Sequence, residues 1–272
     1  MKRKVTALIL TAVLASLSLT ACGSKEADDK LIKVAASAVP HAEILEQVKP
    51  ILEAQGYTLE VTVFSDYVQP NKVVDSGDFD ANYFQHITYM NNFNDQQGTH
   101  LGNAGNIHYE PMGIYAGTQN DLENIPDKAS IAVPNDTTNE ARALVLLQEK
   151  GLIKLSEDAG LNATVNDIEE NPHNFSFVEL EAAQIPRILG EVSFAVINGN
   201  YALEAGLKVQ EDALYYESDQ SAAAQAYVNV VAVREGNENL PKIKALVEAL
   251  RSDEMRKYID EKYQGSVVIY EE

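Results

Sequence analysis

Apolar and polar positions change their rhythm several times along the chain. Residues 5–21 are uncharged and mostly apolar, a single long run near the start. After it, apolar residues come in short blocks. Leu31 to Ser37 reads as a first strand. From His41 to Gln55, residues Ile44, Leu45, Val48, Ile51 and Leu52 recur at helical spacing, so a helix is expected there. Pro50 is expected to kink or restart it. Leu59, Val61 and Val63 alternate as a second strand. Further strands are expected at Ser130–Val133, Phe175–Leu180 and Phe194–Ile197. Thr137-Thr138-Asn139-Glu140 has the spacing of a capping box with Thr137 as the cap. The helix it opens runs through Ala143, Leu144 and Leu147, and Gly151 stops it.

Strand-like and helix-like blocks in alternation predict an α/β fold with mainly parallel sheets. Two longer extended segments stand apart, Ile107–Ala116 and Ala226–Arg234. As strands they would carry the chain out of one lobe and back again, like a hinge. Residues 31–116 and 226–272 would then form the first lobe and residues 117–225 the second, with a ligand cleft between them.

Composition narrows the function. The chain has 272 residues, 45% of them hydrophobic, which is enough for a real core. Lys and Arg number 21 against 41 Asp and Glu, a formal charge of −20. So acidic a body repels nucleic acid and anionic headgroups. The single cysteine, Cys22, allows neither an internal disulfide nor a multi-thiolate zinc site. Lys2, Arg3 and Lys4 precede the uncharged run, which at 17 residues is short for a bilayer span. It suits a signal peptide over residues 1–21. The run ends in Leu19-Thr20-Ala21-Cys22, which resembles the lipobox of bacterial lipoproteins. The Cys22 thiol would then be acylated, and residues 22–30 would be a lipidated, polar tether. The expected location is the cell membrane, lipid-anchored and facing outside the cytoplasm. A protein there has no ready supply of nucleotide cofactors, and none is expected.

Seven short stretches follow one another in a familiar order. They are Val39-Pro40-His41-Ala42-Glu43, Asp66-Tyr67-Val68-Gln69-Pro70-Asn71, Phe84-Gln85-His86, Glu110-Pro111-Met112-Gly113, Pro134-Asn135-Asp136, Glu179-Leu180-Glu181-Ala182-Ala183-Gln184 and Val196-Ile197-Asn198-Gly199-Asn200-Tyr201-Ala202. Together they resemble the NlpA/MetQ family of methionine-binding lipoproteins across nearly the whole mature chain. The resemblance implies a two-lobed periplasmic-binding-protein fold of the second type, with two hinge-crossing strands. It also implies partners: methionine, most simply L-methionine, and an ABC permease with its cytoplasmic ATPase. By the same resemblance Arg142 would clamp the ligand carboxylate. Asn198, Asn200 and Asn229 would hold its polar head, and Tyr67, Phe84, His86 and Tyr89 its side chain. Two positions depart from the family pattern: Ala141 stands where many relatives have glycine, and Tyr83 where a second phenylalanine is frequent.

The residue chemistry agrees with that ligand. A guanidinium offers a carboxylate two parallel hydrogen bonds, and Arg142 lies near a helix start, where anions are favoured. Aromatic rings pack well against a thioether. Asn198 and Asn200 follow an expected strand, at the end where α/β sheets bind ligands. Each residue also has a plainer reading: Arg142 as an ion-pair partner of Glu140 or a neighbouring acid, the rings as core, and the asparagines as turn residues around Gly199. Glu110 could meet the ligand ammonium or simply shape the hinge before Pro111. His41, His86 and His108 with Glu110 could ligate zinc or manganese, but their spacing matches no compact metal motif, and His41 is expected to cap or pack near the first helix. A methionine-containing dipeptide is a further alternative. No G-x-S-x-G, H-E-x-x-H, Walker A or G-x-G-x-x-G pattern is present, so no enzyme is expected.

Overall fold

The computed structural model describes residues 29–218 and 226–271. The signal peptide and the lipidated Cys22 expected above lie outside the described residues. Among those described, no helix is long and apolar enough to cross a membrane.

The first part of the chain alternates strand and helix: β1 (Leu31–Ala36), α1 (Glu43–Ala54), β2 (Thr58–Val63), α2 (Gln69–Asp75), β3 (Ala81–His86), α3 (Ile87–Gln97) and β4 (Leu101–Tyr109). The middle holds β5 (Gly113–Ala116), β6 (Ser130–Pro134), α4 (Thr137–Glu149), β7 (Lys154–Leu155), β8 (Ile168–Glu170), β9 (Ser176–Leu180), β10 (Phe194–Ile197), α5 (Gly199–Glu204), α6 (Val209–Asp212) and β11 (Ala213–Tyr216). The chain ends in β12 (Val228–Arg234), α7 (Pro241–Leu250), α8 (Asp253–Tyr263) and β13 (Val268–Ile269).

Two main sheets result, one ordered β13-β4-β12-β3-β1-β2 and the other β11-β5-β10-β6-β9. Each carries its own core. Ile32, Val34, Ile44, Leu45 and Leu246 pack on the first, and Met112, Ile131, Leu144, Leu147 and Phe194 on the second. This is the expected two-lobed α/β fold, but the sheets are mixed rather than mainly parallel. β1 runs parallel to β2 and β3, whereas β12 runs antiparallel to both β3 and β4. In the second sheet β6 lies parallel to β9 and β10, and β5 antiparallel to β10 and β11. The antiparallel members include the strands flanking the passages between sheets, because a chain that leaves and returns reverses direction.

Local sequence explains most elements. α1 buries Ile44, Leu45, Val48 and Leu52 along one stripe. Pro50 does not restart it: the helix runs on from Glu43 to Ala54, with Pro50 on its exposed face. The cap of α4 is Asp136 rather than Thr137. Its carboxylate accepts the Asn139 N–H at 3.1 Å, and Thr137 is the first helical residue. The carboxylate of Glu140 accepts the Val165 N–H instead. Gly151, with φ of +80°, closes the helix as expected. The segment Ile107–Ala116 is not one strand: β4 ends at Tyr109 in the first sheet and β5 begins at Gly113 in the second. Glu110, Pro111 and Met112 make the crossing. The border expected after residue 116 therefore takes in a strand bonded to the other sheet. The expected return segment, Ala226–Arg234, contains β12, and residues 219–225 before it lie outside the described residues.

Candidate functional site

At the crossing between the two sheets lies a narrow pocket. All eight side chains expected at a ligand site line it: Tyr67, Phe84, His86, Tyr89, Arg142, Asn198, Asn200 and Asn229. Gln85, Glu110, Asn139 and Gly199 join them. Their convergence follows from topology. Phe84 and His86 sit at the carboxyl end of β3, and Asn198 and Asn200 just past the carboxyl end of β10. Strand ends of this kind face a crevice in open α/β sheets. Tyr89 lies in the first turn of α3, Arg142 in α4 and Asn229 near the start of β12.

The cationic side of the pocket is built on Arg142, which is 4% exposed. Its Nε and Nη2 donate to the two carboxylate oxygens of Glu217 at 2.8 and 2.6 Å, and Nη2 also donates to the Glu110 carbonyl at 2.8 Å. The Tyr227 ring lies 4.3 Å from the guanidinium. Glu217 in turn accepts from the Tyr109 hydroxyl at 2.6 Å and the Met112 N–H at 2.8 Å. Burial works against the charge on Arg142, but the adjoining Glu217 carboxylate outweighs it and raises its pKa. The ion-pair partner is thus Glu217, 75 residues away, rather than Glu140.

The anionic side is Glu110, 5% exposed. Its Oε1 lies 2.7 Å from His108 Nε2, within hydrogen-bonding distance, and 3.3 Å from His41 Nε2. The Asn200 backbone N–H also bonds to Glu110. The second nitrogen of each ring meets a hydroxyl, Ser37 Oγ at 2.6 Å for His41 and the Tyr83 OH at 2.5 Å for His108. His41 sits in the turn directly before α1, next to that helix but not capping it, and its Nε2 bonds Asn229 Oδ1 at 3.0 Å. Burial pushes the His41 pKa down to about 4 and that of His108 to about 3, which keeps both rings neutral. Burial raises the pKa of Glu110, while His41, Arg142 and the Asn200 N–H oppose it. His41, His108 and Glu110 bring their donor atoms within 4.8 Å of one another, a grouping their sequence spacing conceals. His86 stands outside it. Its Nδ1 accepts the Tyr89 N–H at 3.0 Å, capping α3, and its Nε2 lies 3.2 Å from Asn139 Oδ1.

Between these charges sit two asparagines with unmet needs. Asn198 donates to Asn139 Oδ1 at 2.7 Å but leaves its own Oδ1 buried without a partner. Asn200 accepts from the Tyr67 hydroxyl at 2.5 Å and leaves its Nδ2 unpaired. Each such atom costs about 1–3 kcal/mol until something bonds it. Gly199 between them has to be glycine: a Cβ there would lie 2.7 Å from the Glu110 Cβ. Tyr67, Phe84 and Tyr89 supply an apolar wall, with ring centroids 5.7–6.2 Å apart. The pocket therefore presents an anion, a cation, one free acceptor, one free donor and an aromatic face. That set is complementary to a small zwitterion with an apolar tail.

Sequence reasoning missed Glu217, Asn139, Gln85 and Tyr227 and ranked Glu110 below the others. Glu110 is the one acid in the apolar stretch Ile107–Ala116, a usable signal. Glu217 has no local signal, since its meaning depends on an arginine far away in the chain.

The comparisons with known proteins match this arrangement. The family model of the NlpA lipoproteins fits residues 32–270. The chain belongs to the NlpA lipoprotein family. The methionine-binding lipoprotein MetQ of Bacillus subtilis is 41% identical over 259 residues, covering 92% of this chain and 93% of that one. A candidate lipoprotein from Ruminococcus gnavus, solved by crystallography, superposes with a TM-score of 0.88 at 64% identity, covering 89% of this chain and all of its own. A nutrient-binding protein from Burkholderia cenocepacia, solved with methionine bound, gives 0.84 at 43% identity over 88% of this chain and 100% of its own.

Proposed function

We propose that this protein is the methionine-binding lipoprotein of an ABC importer, catching the amino acid outside the membrane and delivering it to a permease driven by a cytoplasmic ATPase. The observation that carries this reading is the pair of unpartnered buried amide atoms, Asn198 Oδ1 and Asn200 Nδ2, set among Glu110, Arg142 and the aromatic wall. A zwitterionic head group satisfies them. Glu110 and Asn198 Oδ1 accept from its ammonium; Asn200 Nδ2 and Arg142 donate to its carboxylate. Tyr67, Phe84, His86 and Tyr89 surround the side chain, and a thioether gains about 0.3–1.5 kcal/mol from each ring it touches. Asn229, tied to His41, holds the floor of the pocket.

Two lobes close on the ligand, those of residues 31–116 with 226–272 and of residues 117–225, except that β5 at residues 113–116 joins the second lobe. The protein binds and releases methionine unchanged. Residues 1–21 serve as the signal peptide, and lipid on Cys22 anchors the mature chain through the tether of residues 22–30, facing outside the cytoplasm.

The test is thermal unfolding of protein that has first been unfolded and refolded to strip carried ligand. L-methionine at 100 times its Kd stabilises by about 2.7 kcal/mol, roughly 5–10 °C in midpoint for a body of this size. Other amino acids, methionine dipeptides and divalent metals are added in parallel. A shift with any of these and none with methionine overturns the assignment.

A further inference from the structure

A carboxylate that receives an ammonium group has to stay ionised away from water. At Glu110 burial opposes this, because it raises the pKa. We propose that Tyr83 and His108 form a positioning relay that holds Glu110 ionised, with Tyr83 fixing the proton of His108 on Nε2 and that N–H donating to the carboxylate. The proposal rests on the reading of Glu110 as the ammonium receptor.

The geometry runs in one line. The Tyr83 hydroxyl lies 2.5 Å from His108 Nδ1, and His108 Nε2 lies 2.7 Å from Glu110 Oε1. Tyr83 and His108 are both fully buried, on β3 and β4, the two strands that flank β12 in the first sheet. A tyrosine hydroxyl that donates to Nδ1 leaves one tautomer for a neutral ring, the one with its proton on Nε2. Burial keeps His108 neutral and Tyr83 protonated. A neutral donor matters here: it stabilises the anion by a hydrogen bond yet leaves the full negative charge for a ligand. The other groups facing Glu110 are His41, neutral and 3.3 Å away, Arg142 through its contact with the Glu110 carbonyl, the Asn200 backbone N–H, and Tyr67. The Arg142 bonds run to Glu217 and to the Glu110 carbonyl rather than to the Glu110 carboxylate. Among the described residues, the Tyr83 hydroxyl is the group bonded to His108 Nδ1.

The same neighbourhood has the make-up of a metal set with two histidines and a carboxylate. Its distances favour proton donors. Oε1 itself lies within hydrogen-bonding distance of His108, in the space an ion between them would need.

Two readouts on the full-length protein test the relay. Infrared absorption of the Glu110 carboxyl, assigned by its loss in Glu110→Gln, is followed without ligand from about pH 4 to about pH 8. In parallel, the affinity for L-methionine is compared with that for its 2-hydroxy analogue, which lacks the ammonium. His108→Leu raises the Glu110 midpoint by about one unit or more and cuts the preference for methionine about tenfold or more. His108→Gln, which keeps an N–H near the same place, restores most of both. Tyr83→Phe moves both in the same direction by less. Unchanged midpoints in His108→Leu and Tyr83→Phe overturn the relay. So does stoichiometric zinc binding by the wild type that His108→Leu abolishes. A midpoint shift in a protein whose wild type does not prefer methionine over the hydroxy analogue supports the relay and overturns the ammonium reading instead.

Discussion

Glu110 and Arg142 line the same pocket, are buried to nearly the same degree, and are stabilised in opposite ways. Arg142 meets a full charge: Glu217 takes two of its N–H groups, and the Glu110 carbonyl shares one of those nitrogens. Glu110 meets neutral donors, the His108 ring and the Asn200 backbone N–H. An ion pair cancels most of its own field, whereas dipoles steady a charge and leave it in place. Arg142 is thus as much a structural tie as a ligand clamp. Through Tyr109, Met112 and Glu217 it fastens the Glu110–Met112 crossing to the end of β11. Once ionised, Glu110 carries a charge that no Lys or Arg side chain pairs with among the described residues.

Breaking the cationic tie gives the largest expected effect. Glu217→Ala leaves a buried guanidinium without its counter-ion and costs about 3–5 kcal/mol, measured by urea unfolding of the ligand-free protein. Adding Arg142→Met to the same chain recovers much of that loss, because the stranded charge goes with it. A Glu217→Ala loss below about 1 kcal/mol would show that Arg142 is solvated, and the contrast with Glu110 would collapse.

Glu110→Gln comes next, and it acts on binding rather than on the fold. The side chain keeps its shape and loses its charge. Methionine affinity falls by about 2–5 kcal/mol, measured by calorimetry. The wild-type affinity also weakens in acid. Glu110 has its pKa raised by burial, so it takes up a proton and loses its hold on the ammonium as pH falls through that value, while Glu110→Gln shows no such loss. Equal affinities in wild type and variant would move the ammonium to another acceptor.

How far the sequence reveals all this depends on how local each cause is. β1, β6 and β10 are apolar runs and are legible as strands. β3 is not, since it reads Ala-Asn-Tyr-Phe-Gln-His and yet all six residues are buried. Its polar members satisfy one another within the lobe: Asn82 and Gln85 both donate to Asn71 Oδ1, at 2.9 and 2.6 Å. No periodicity reports an amide network closed by a residue from α2. The break between β4 and β5 is hidden in the same way, because Ile107 to Ala116 reads as one extended stretch. The eight lining residues were readable as a group only through likeness to a family. Taken singly, Asn198 and Asn200 are turn residues and Arg142 a surface ion. The Glu217 partner became readable only with the fold.

The smallest prediction bears on how Asn198 comes to have a free oxygen. Asp136 caps α4, and both its carboxylate oxygens also lie 2.9 Å from the Asn139 Nδ2, which donates to them. That fixes Asn139 with its Oδ1 toward the pocket, where it occupies the Asn198 Nδ2 and turns Asn198 Oδ1 to the unfilled space. Asp136→Ala removes the cap, at about 1 kcal/mol, and frees the Asn139 amide to rotate, so methionine affinity falls as well, by a few-fold. Asp136→Asn keeps an acceptor for the helix and loses less stability. Thr137→Ala separates this arrangement from a capping box begun one residue later. Among the described residues its hydroxyl accepts from the exposed Gln96 side chain, so its removal leaves both stability and affinity within about 0.5 kcal/mol of wild type. A Thr137→Ala loss equal to that of Asp136→Ala would return the cap to Thr137. It would also leave the orientation of Asn139, and with it the free acceptor on Asn198, without a cause in the helix.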